Sequence, residues 1–137
     1  MGYYSAAPPN EPKLIFYLEA LCVLSALDFC CQRLSPRRKL VNYTDNQNTI
    51  DIFSSLKCLP TFSCLLQTSI TLRVMADIDL RVLHNAGDDN EVADALSRAD
   101  FHRAISLSPN LILNFFTPYH LNKPLQPPQS SLGANQK

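Results

Sequence analysis

The chain has 137 residues, and its 12 lysines and arginines balance its 12 aspartates and glutamates, so its formal net charge is zero. This balance excludes a strongly basic nucleic-acid binder and leaves local patches as the means of contacting phosphate. The length suits one domain with a modest core, and a hydrophobic content of 46% is typical of a globular chain.

The five cysteines form no Cys-x-x-Cys pair and have no zinc-binding spacing. Free thiols are typical of a reducing compartment, so we expect an intracellular protein, cytoplasmic or nuclear. The most apolar stretch, residues 14–31, contains Glu19 and Asp28. Inserting either acid into a bilayer would cost about 2.5–3.5 kcal/mol, so we expect no membrane segment.

Residues 1–12 contain three prolines among small and polar residues, which predicts a flexible arm. Residues 14–17 are expected to end a strand. Residues 19–34 are expected to form a helix with a broad apolar face that stops before Pro36. The basic residues 37–39 predict a solvated connector, with a phosphate contact beside a functional site as the alternative.

Residues 40–44 are apolar on both faces, which favours an interior parallel strand. Helices are predicted over residues 49–56 and, after Pro60, over residues 61–77. A second short, largely buried strand is predicted over residues 80–84, where apolar and polar residues alternate.

The polar residues 85–89 predict a loop, and Asn90 is a suitable N-cap for a helix that we expect to reach about residue 107. This succession of strand, loop and helix puts His84 at the entry to the loop and Asp94 in the first turns of the helix.

Residues 13–107 are thus expected to form one domain. The Pro-rich residues 108–137 are predicted to be a linker or tail, although residues 111–116 could add a turn of structure. We expect residues 118–137 to be disordered and to pack against nothing, because they cannot bury enough apolar surface to offset the ordering entropy.

The residues around the loop resemble the ribonuclease H family. His84, Asn90 and Asp94 are separated by five and then three residues, as in the family pattern, and Leu-Ser-Arg follows closely. The strand that leads to Asp45 resembles the family's strand with a catalytic Asp. The helix that carries Glu19 resembles its helix with a catalytic Glu. The chain looks most like the ribonuclease H-like domain of retrotransposon reverse transcriptases, especially of fungal elements.

This resemblance covers about residues 13–100 and implies an α/β fold in which helices flank a short parallel sheet. It implies cleavage of the RNA strand of RNA–DNA hybrids, a phosphodiester hydrolysis assisted by two Mg²⁺ ions, with Mn²⁺ as an alternative. The implied catalytic residues, of which the three acids are also metal ligands, are Glu19, Asp45, Asp94 and His84. Substrate or loop contacts are implied for Thr44, Asn46 and Asn90.

The family carries a fourth carboxylate, an Asp on the first of three antiparallel strands that precede the Glu helix. Only 18 residues precede Glu19, and Glu11 is the only acid among them. We therefore expect an N-terminally truncated fold, a retroelement remnant with a weakly held metal and weak or no activity. Residues 40–44 would then have an open strand edge, which a partner chain or segment could cover.

Two other interpretations stay open: a non-catalytic nucleic-acid-binding or structural remnant, and an unrelated small helical interaction protein with coincidental motif matches. Parallel pairing of residues 40–44 with residues 80–84 would reject the helical protein. Each site residue also has an ordinary structural explanation: a turn for Asp45 and Asn46, acids near helix starts for Glu19 and Asp94, and a packed strand residue for His84.

Overall fold

The computed structural model describes residues 2–4, 12–33 and 35–121, and these contain four strands, five α-helices and two 3₁₀ turns. In chain order they are β1 (Gly2–Tyr4), α1 (Pro12–Cys31), β2 (Arg38–Thr44), α2 (Gln47–Ser55), a 3₁₀ turn (Pro60–Phe62), α3 (Ser63–Ala76), β3 (Ile78–His84), a second 3₁₀ turn (Gly87–Asp89), α4 (Glu91–Ser97), α5 (Phe101–Leu107) and β4 (Leu113–Phe115). The predicted mixed α/β class is confirmed, and a purely helical architecture is wrong.

The strands β2 and β3 form a parallel pair. Their register runs from Arg38 opposite Ile78 to Thr44 opposite His84. The chain between them forms α2 and α3, as a parallel pair requires a long connection. Both predicted strands and their parallel pairing are therefore confirmed.

A second parallel pair joins the two ends of the described chain. β1 pairs with β4, so that Gly2 lies opposite Leu113 and Tyr4 opposite Phe115. The expectation of a flexible arm is wrong for these first strand residues, because β4 supplies their main-chain partners. Residues 5–11 of the predicted arm lie outside the described residues.

The core lies on one face of the β2–β3 pair, where α1, α2 and α3 pack. Alternate residues of β3, namely Ile78, Leu80 and Val82, are buried on this face. Leu24 of α1 and Leu65 of α3 are fully buried against them in the same cluster. The predicted strand is therefore present, but it is buried on one face only, and residues 81, 83 and 84 are exposed.

The other face of the β2–β3 pair is exposed to solvent. Its apolar side chains Val41, Tyr43 and Leu83 are 44%, 57% and 45% exposed. The expectation that residues 40–44 form an interior strand is wrong, because α1, α2 and α3 lie on one face only.

Residues 14–17, which were expected to end a strand, belong to α1. Pro12 opens this helix at its first position, where proline is favoured. Phe16 and Tyr17 pack against Phe62, with ring centroids 4.6 and 5.9 Å apart. This aromatic contact places the segment in a helix despite the strand preference of aromatic residues.

The helix predicted over residues 90–107 is divided into two. Ala99 has a left-handed backbone with a φ of 56°, which ends α4. Asp100 then caps α5, since its carboxylate accepts a hydrogen bond from the Arg103 N–H at 3.1 Å. A short acidic side chain that binds the backbone favours a helix start over a helix interior, which explains the break.

The chain beyond β4 folds back onto α1. The Tyr119 side chain is buried, and the backbone N–H of the same residue donates a hydrogen bond to the Ser25 Oγ at 3.0 Å. Leu121 also packs against the core. The expectation that residues 118–137 pack against nothing is wrong for these two residues. Residues 122–137 lie outside the described residues.

No single helix in the described part of the chain is long and apolar enough to cross a membrane. α2 and Pro60–Ala76 satisfy the length and composition requirements only as a pair, with a bend of 77° between them. Both segments also contribute to the core, through buried residues such as Ile52 and Leu66.

Replacing Leu65 by alanine should lower the free energy of unfolding by about 2–5 kcal/mol, because the side chain is fully buried and leaves a cavity. The matched control is Leu59→Ala, which removes the same atoms from a side chain that is 68% exposed and should cost about 0.5 kcal/mol or less. Urea denaturation measures both values, and equal losses would contradict this description of the core.

Replacing Ser25 by alanine should loosen the chain after β4, because it removes the hydroxyl that accepts the hydrogen bond of the buried Tyr119 N–H. A cost of roughly 1–3 kcal/mol is expected, seen as faster hydrogen exchange at the Tyr119 amide. Ser106→Ala is the control, since its hydroxyl bonds only the exposed Arg103 carbonyl. Unchanged exchange at Tyr119 in the Ser25 variant would show that this hydrogen bond does not hold the segment.

Candidate functional site

The carboxyl ends of β2 and β3 meet at one end of the strand pair. Thr44 ends β2 and lies opposite His84, which ends β3, so Asp45 and Asn46 follow directly beside them. Sites in open α/β sheets form at the carboxyl ends of parallel strands. Four of the seven predicted site residues therefore share one end of the sheet.

Hydrogen bonds define the turn after β2. The Asn46 N–H donates to the Thr44 Oγ1 at 3.2 Å, and the Asn46 Oδ1 accepts from the Thr49 N–H at 3.2 Å, which caps α2. The Asn85 N–H donates to the Thr44 carbonyl at 3.0 Å and connects the turn to the end of β3. Thr44 and Asn46 thus shape the loop, and Asp45 is exposed between them.

Glu19 reaches this turn from α1. Its carboxylate lies close enough to the Asn46 side chain and to the Asp45 carboxylate for both to influence its pKa. Burial is the main cause that raises the Glu19 pKa above its usual value. The nearby Asp45 carboxylate raises it further, and the Asn46 side chain opposes the shift. The Glu19 Oε2 is buried and has no hydrogen-bond partner among the described residues, so one oxygen lacks the donor or cation that a buried charge requires.

Thr49 provides a second buried oxygen beside Asn46. Its side chain is fully buried, and its Oγ1 has no hydrogen-bond partner in the described part of the chain. The sequence analysis did not identify Thr49 as a site residue. A threonine three residues after an N-cap is common at helix starts, so no sequence pattern reveals that its hydroxyl is unpaired.

Asp94 is held by two arginines. Its Oδ1 accepts a hydrogen bond from the Arg98 Nε at 2.9 Å, and its Oδ2 accepts one from the Arg103 Nη1 at 3.2 Å. The Arg98 hydrogen bond is the largest of the causes that lower the Asp94 pKa. The sequence contains the first partner in the i,i+4 spacing. The second reaches Asp94 only because the chain turns at Ala99 between the two helices.

The structure brings Glu19 and Asp45 together but does not add Asp94 to them. α4, which carries Asp94, packs against α5, β1 and the second 3₁₀ turn. No group of three or more His, Cys, Asp or Glu side chains among the described residues is arranged to hold a metal ion. Asn90 stands at the N-cap of α4, but its side chain makes no capping hydrogen bond. The three-carboxylate metal set stays a prediction.

The basic residues 37–39 lie at the amino end of β2. The strand has seven residues, which puts this cluster about 20 Å from Asp45. Arg37 pairs with Asp77 at 3.5 Å, and both side chains are largely exposed. The distance therefore does not support a phosphate contact beside the site. The three side chains are solvated as expected, but the prediction of a connector is wrong for Arg38 and Lys39, which belong to β2.

Comparisons with models of protein families, with curated proteins and with solved structures gave no match for this chain. Interpretation of the site therefore depends on the positions and surroundings of its own residues. The informative positions are the ones at the carboxyl end of β2, where a half-buried glutamate, an exposed aspartate and an asparagine lie close together.

Replacing Glu19 by glutamine should make the protein more stable relative to the wild type at pH 7 than at pH 4. The folded state raises the Glu19 pKa, so it binds more protons than the unfolded state. Wild-type stability therefore falls as the pH rises from the ordinary glutamate value of 4.5 through the raised one. The glutamine variant has no carboxyl group at position 19 to lose a proton, so its stability should not fall for this reason.

Thermal or urea unfolding between pH 4 and pH 8 measures the difference between the two proteins. Glu91→Gln is the control, because Glu91 lies on the exposed surface of α4 and should not produce this pH-dependent gain. A stability difference for the Glu19 variant that is constant with pH, or largest in acid, would contradict the burial of the Glu19 carboxyl group.

Proposed function

We propose that this chain is part of a ribonuclease H-like domain of the kind found in retrotransposon reverse transcriptases. The ancestral reaction is metal-dependent endonucleolytic cleavage of RNA in RNA–DNA hybrids, carried out inside the cell. One observation carries the proposal: Glu19 of α1 meets Asp45 at the carboxyl end of a strand whose parallel neighbour ends at His84.

The order of the elements supports this proposal. A helix with Glu19, a strand leading to Asp45, a parallel strand ending at His84 and a helix with Asp94 follow one another along the chain. The first three of these residues, which lie far apart in the sequence, come to one end of the β2–β3 pair. If the matches to these short motifs were coincidental, there would be no reason for the three residues to lie close together in the fold.

The donor atoms at this end suit a hard divalent cation. Mg²⁺ prefers oxygen ligands, and Glu19 offers a buried carboxylate oxygen without a hydrogen-bond partner among the described residues, beside the carboxylate of Asp45. These two residues would hold the ion, with Mn²⁺ as a substitute. When bound, such an ion activates a water molecule and stabilises charge on phosphate oxygens.

The other residues of this end have supporting roles in the proposal. Thr44 and Asn46 hold the turn that presents Asp45 to solvent. His84 is exposed beside them, and in the proposed reaction its side chain would assist proton transfer or product release. Asn90 would contact substrate from the loop that follows β3.

The site in these 137 residues is incomplete. Asp28 lies nine residues beyond Glu19 on α1, about 13 Å along the helix, and Asp51 is hydrogen-bonded to Gln47 on the exposed side of α2. Neither can supply the fourth carboxylate of the family. Two cations about 4 Å apart repel strongly unless a carboxylate lies between them, so we expect one weakly held ion and little or no cleavage.

A second candidate is a non-catalytic nucleic-acid-binding or structural remnant. The observation that favours it is the double hydrogen bond of Asp94 with Arg98 and Arg103, which neutralises a carboxylate that catalysis would need as a ligand. The two arginine side chains are 73% and 44% exposed. In this interpretation their exposed parts would contact phosphate without any hydrolysis.

Titration with Mn²⁺ should broaden the NMR signals of Asp45, Asn46 and the α1 residues around Glu19, because the ion is paramagnetic and lies beside them. We expect weak, millimolar binding from two carboxylates. Asp45→Asn should abolish the selective broadening, since it removes a ligand charge at nearly constant shape. Asp51→Asn is the matched control and should leave the broadening unchanged.

The same chain, incubated with an RNA–DNA hybrid and Mg²⁺ or Mn²⁺, should cleave the RNA at no more than the background rate. Selective broadening without cleavage supports the incomplete ribonuclease H site. Hybrid binding without selective broadening favours the non-catalytic remnant. Cleavage that Asp45→Asn abolishes would show that the site is complete and that the expectation of inactivity is wrong.

A further inference from the structure

β2 is an edge strand. β3 pairs with one side of it, and within the described residues no strand pairs with the other side. The strand has seven residues, and the side chains at positions 39, 41 and 43 are all exposed. Unpaired N–H and C=O groups along an edge of this length form a template on which another strand can pair.

The hydrogen bonds of β2 determine which main-chain groups face the open edge. The Thr44 carbonyl accepts a hydrogen bond from the Asn85 N–H at 3.0 Å, so the main-chain groups of Thr44 face β3. Successive residues of a strand direct these groups to opposite sides. The main-chain groups of Lys39, Val41 and Tyr43 therefore face the open edge.

Side chains next to this edge leave apolar surface uncovered. Val41 and Tyr43 of β2 and Leu83 of β3 lie on the face away from the helices, and all three are exposed. Packing against α1, α2 and α3 supports the two-stranded sheet on its other face, but it leaves this apolar surface and the unpaired main-chain groups of the edge uncovered. Additional strands at this edge would therefore stabilise the sheet.

We propose that a second copy of this chain covers the edge, by antiparallel pairing of β2 with β2 about a two-fold axis at Val41. Val41 then lies opposite its counterpart, Lys39 lies opposite Tyr43, and Arg38 lies opposite Thr44. The residues whose main-chain groups face the edge are thus opposite one another, so each such pair can exchange both main-chain hydrogen bonds. The result is a four-stranded sheet.

The charges of β2 favour this arrangement. Opposite residues on an antiparallel pair have Cβ atoms about 4.5–5.5 Å apart, so like charges placed opposite each other are unfavourable. The antiparallel register puts each Lys39 beside an aromatic ring, a favourable cation–π contact, and puts no two basic residues opposite each other. The zero net charge of the chain also removes general repulsion between copies.

A nucleic acid fits this face less well. Lys39 lies opposite Asp79 in the parallel register, and Asp79 also pairs with Arg81 at 3.5 Å. The basic side chains of the exposed face are therefore accompanied by an acid, which weakens their attraction for phosphate. In the dimer, Lys39 would contact the aromatic ring of Tyr43 of the second copy. A phosphate backbone would instead contact a surface that carries both basic and acidic side chains.

This inference does not depend on the proposed function, since it rests on the open edge and not on the carboxylates. The pairing of two short strands buries less than the roughly 1,000 Å² expected of a stable interface. We therefore expect a concentration-dependent equilibrium between monomer and dimer rather than a permanent dimer.

Sedimentation equilibrium of the 137-residue chain between about 1 and 500 µM tests the proposal, with a shift from monomer toward dimer as the expected result. Tyr43→Lys and Tyr43→Glu form a matched pair, because both remove the ring and differ only in the charge placed opposite Lys39. The lysine variant should dimerise at least about tenfold more weakly than the glutamate variant. Equal affinities, or the reverse order, would overturn the antiparallel register.

Val41→Pro is a second test, since it removes an N–H that faces the open edge and spares the bonds to β3. We expect a monomer with an unchanged circular dichroism spectrum. Asn42→Pro, which removes a bond to β3, should instead destabilise the fold. If Val41→Pro does not fold, the Tyr43 pair still decides the question. A wild-type chain that is monomeric at every concentration overturns the proposal, whether or not it binds a single-stranded oligonucleotide.

Discussion

The parallel pairing of β2 with β3, covered by helices on one face only, is the constraint on which the rest of the structure depends. Parallel strands need a long connection, and here α2 and α3 supply both that connection and much of the core. Because α1 packs on the same face, one side of the sheet is buried and the other is left to solvent. The open face is a consequence of this one-sided packing, whereas the edge of β2 is open because no second strand pairs with it among the described residues.

The same pairing of β2 with β3 determines which residues lie together at the candidate site. Parallel strands end on the same side, so Asp45 and His84 come together although they are distant in the sequence. α1 brings Glu19 to this end but buries one carboxylate oxygen without a partner among the described residues, which raises the Glu19 pKa. A fold seldom leaves a buried carboxylate oxygen unpaired, because desolvation disfavours the charged form. This local cost is the most specific physical indication of a functional site in the described chain.

Asp94 differs because its charge is already compensated. Two arginines bond its two oxygens, and the partial exposure of all three side chains makes these ion pairs individually weak. The charge of Asp94 is thus compensated without a metal ion, whereas one buried oxygen of Glu19 has no hydrogen-bond partner among the described residues. The motif pattern gives Glu19 and Asp94 the same role, but the structure raises the pKa of Glu19 and lowers the pKa of Asp94.

The sequence was sufficient to predict the α/β class and the two parallel strands, because alternation and apolar periodicity act over a few neighbouring positions. It also placed Asp45 at a strand end. The helical conformation of residues 14–17, the burial of Tyr119 and the exposure of one face of β2 were not predictable in this way, because each depends on contacts with distant residues. The meeting of Glu19 with Asp45, and the pairing of Asp94 with Arg103, were likewise decided by packing, since electrostatic contacts depend on distances in space that no local pattern encodes.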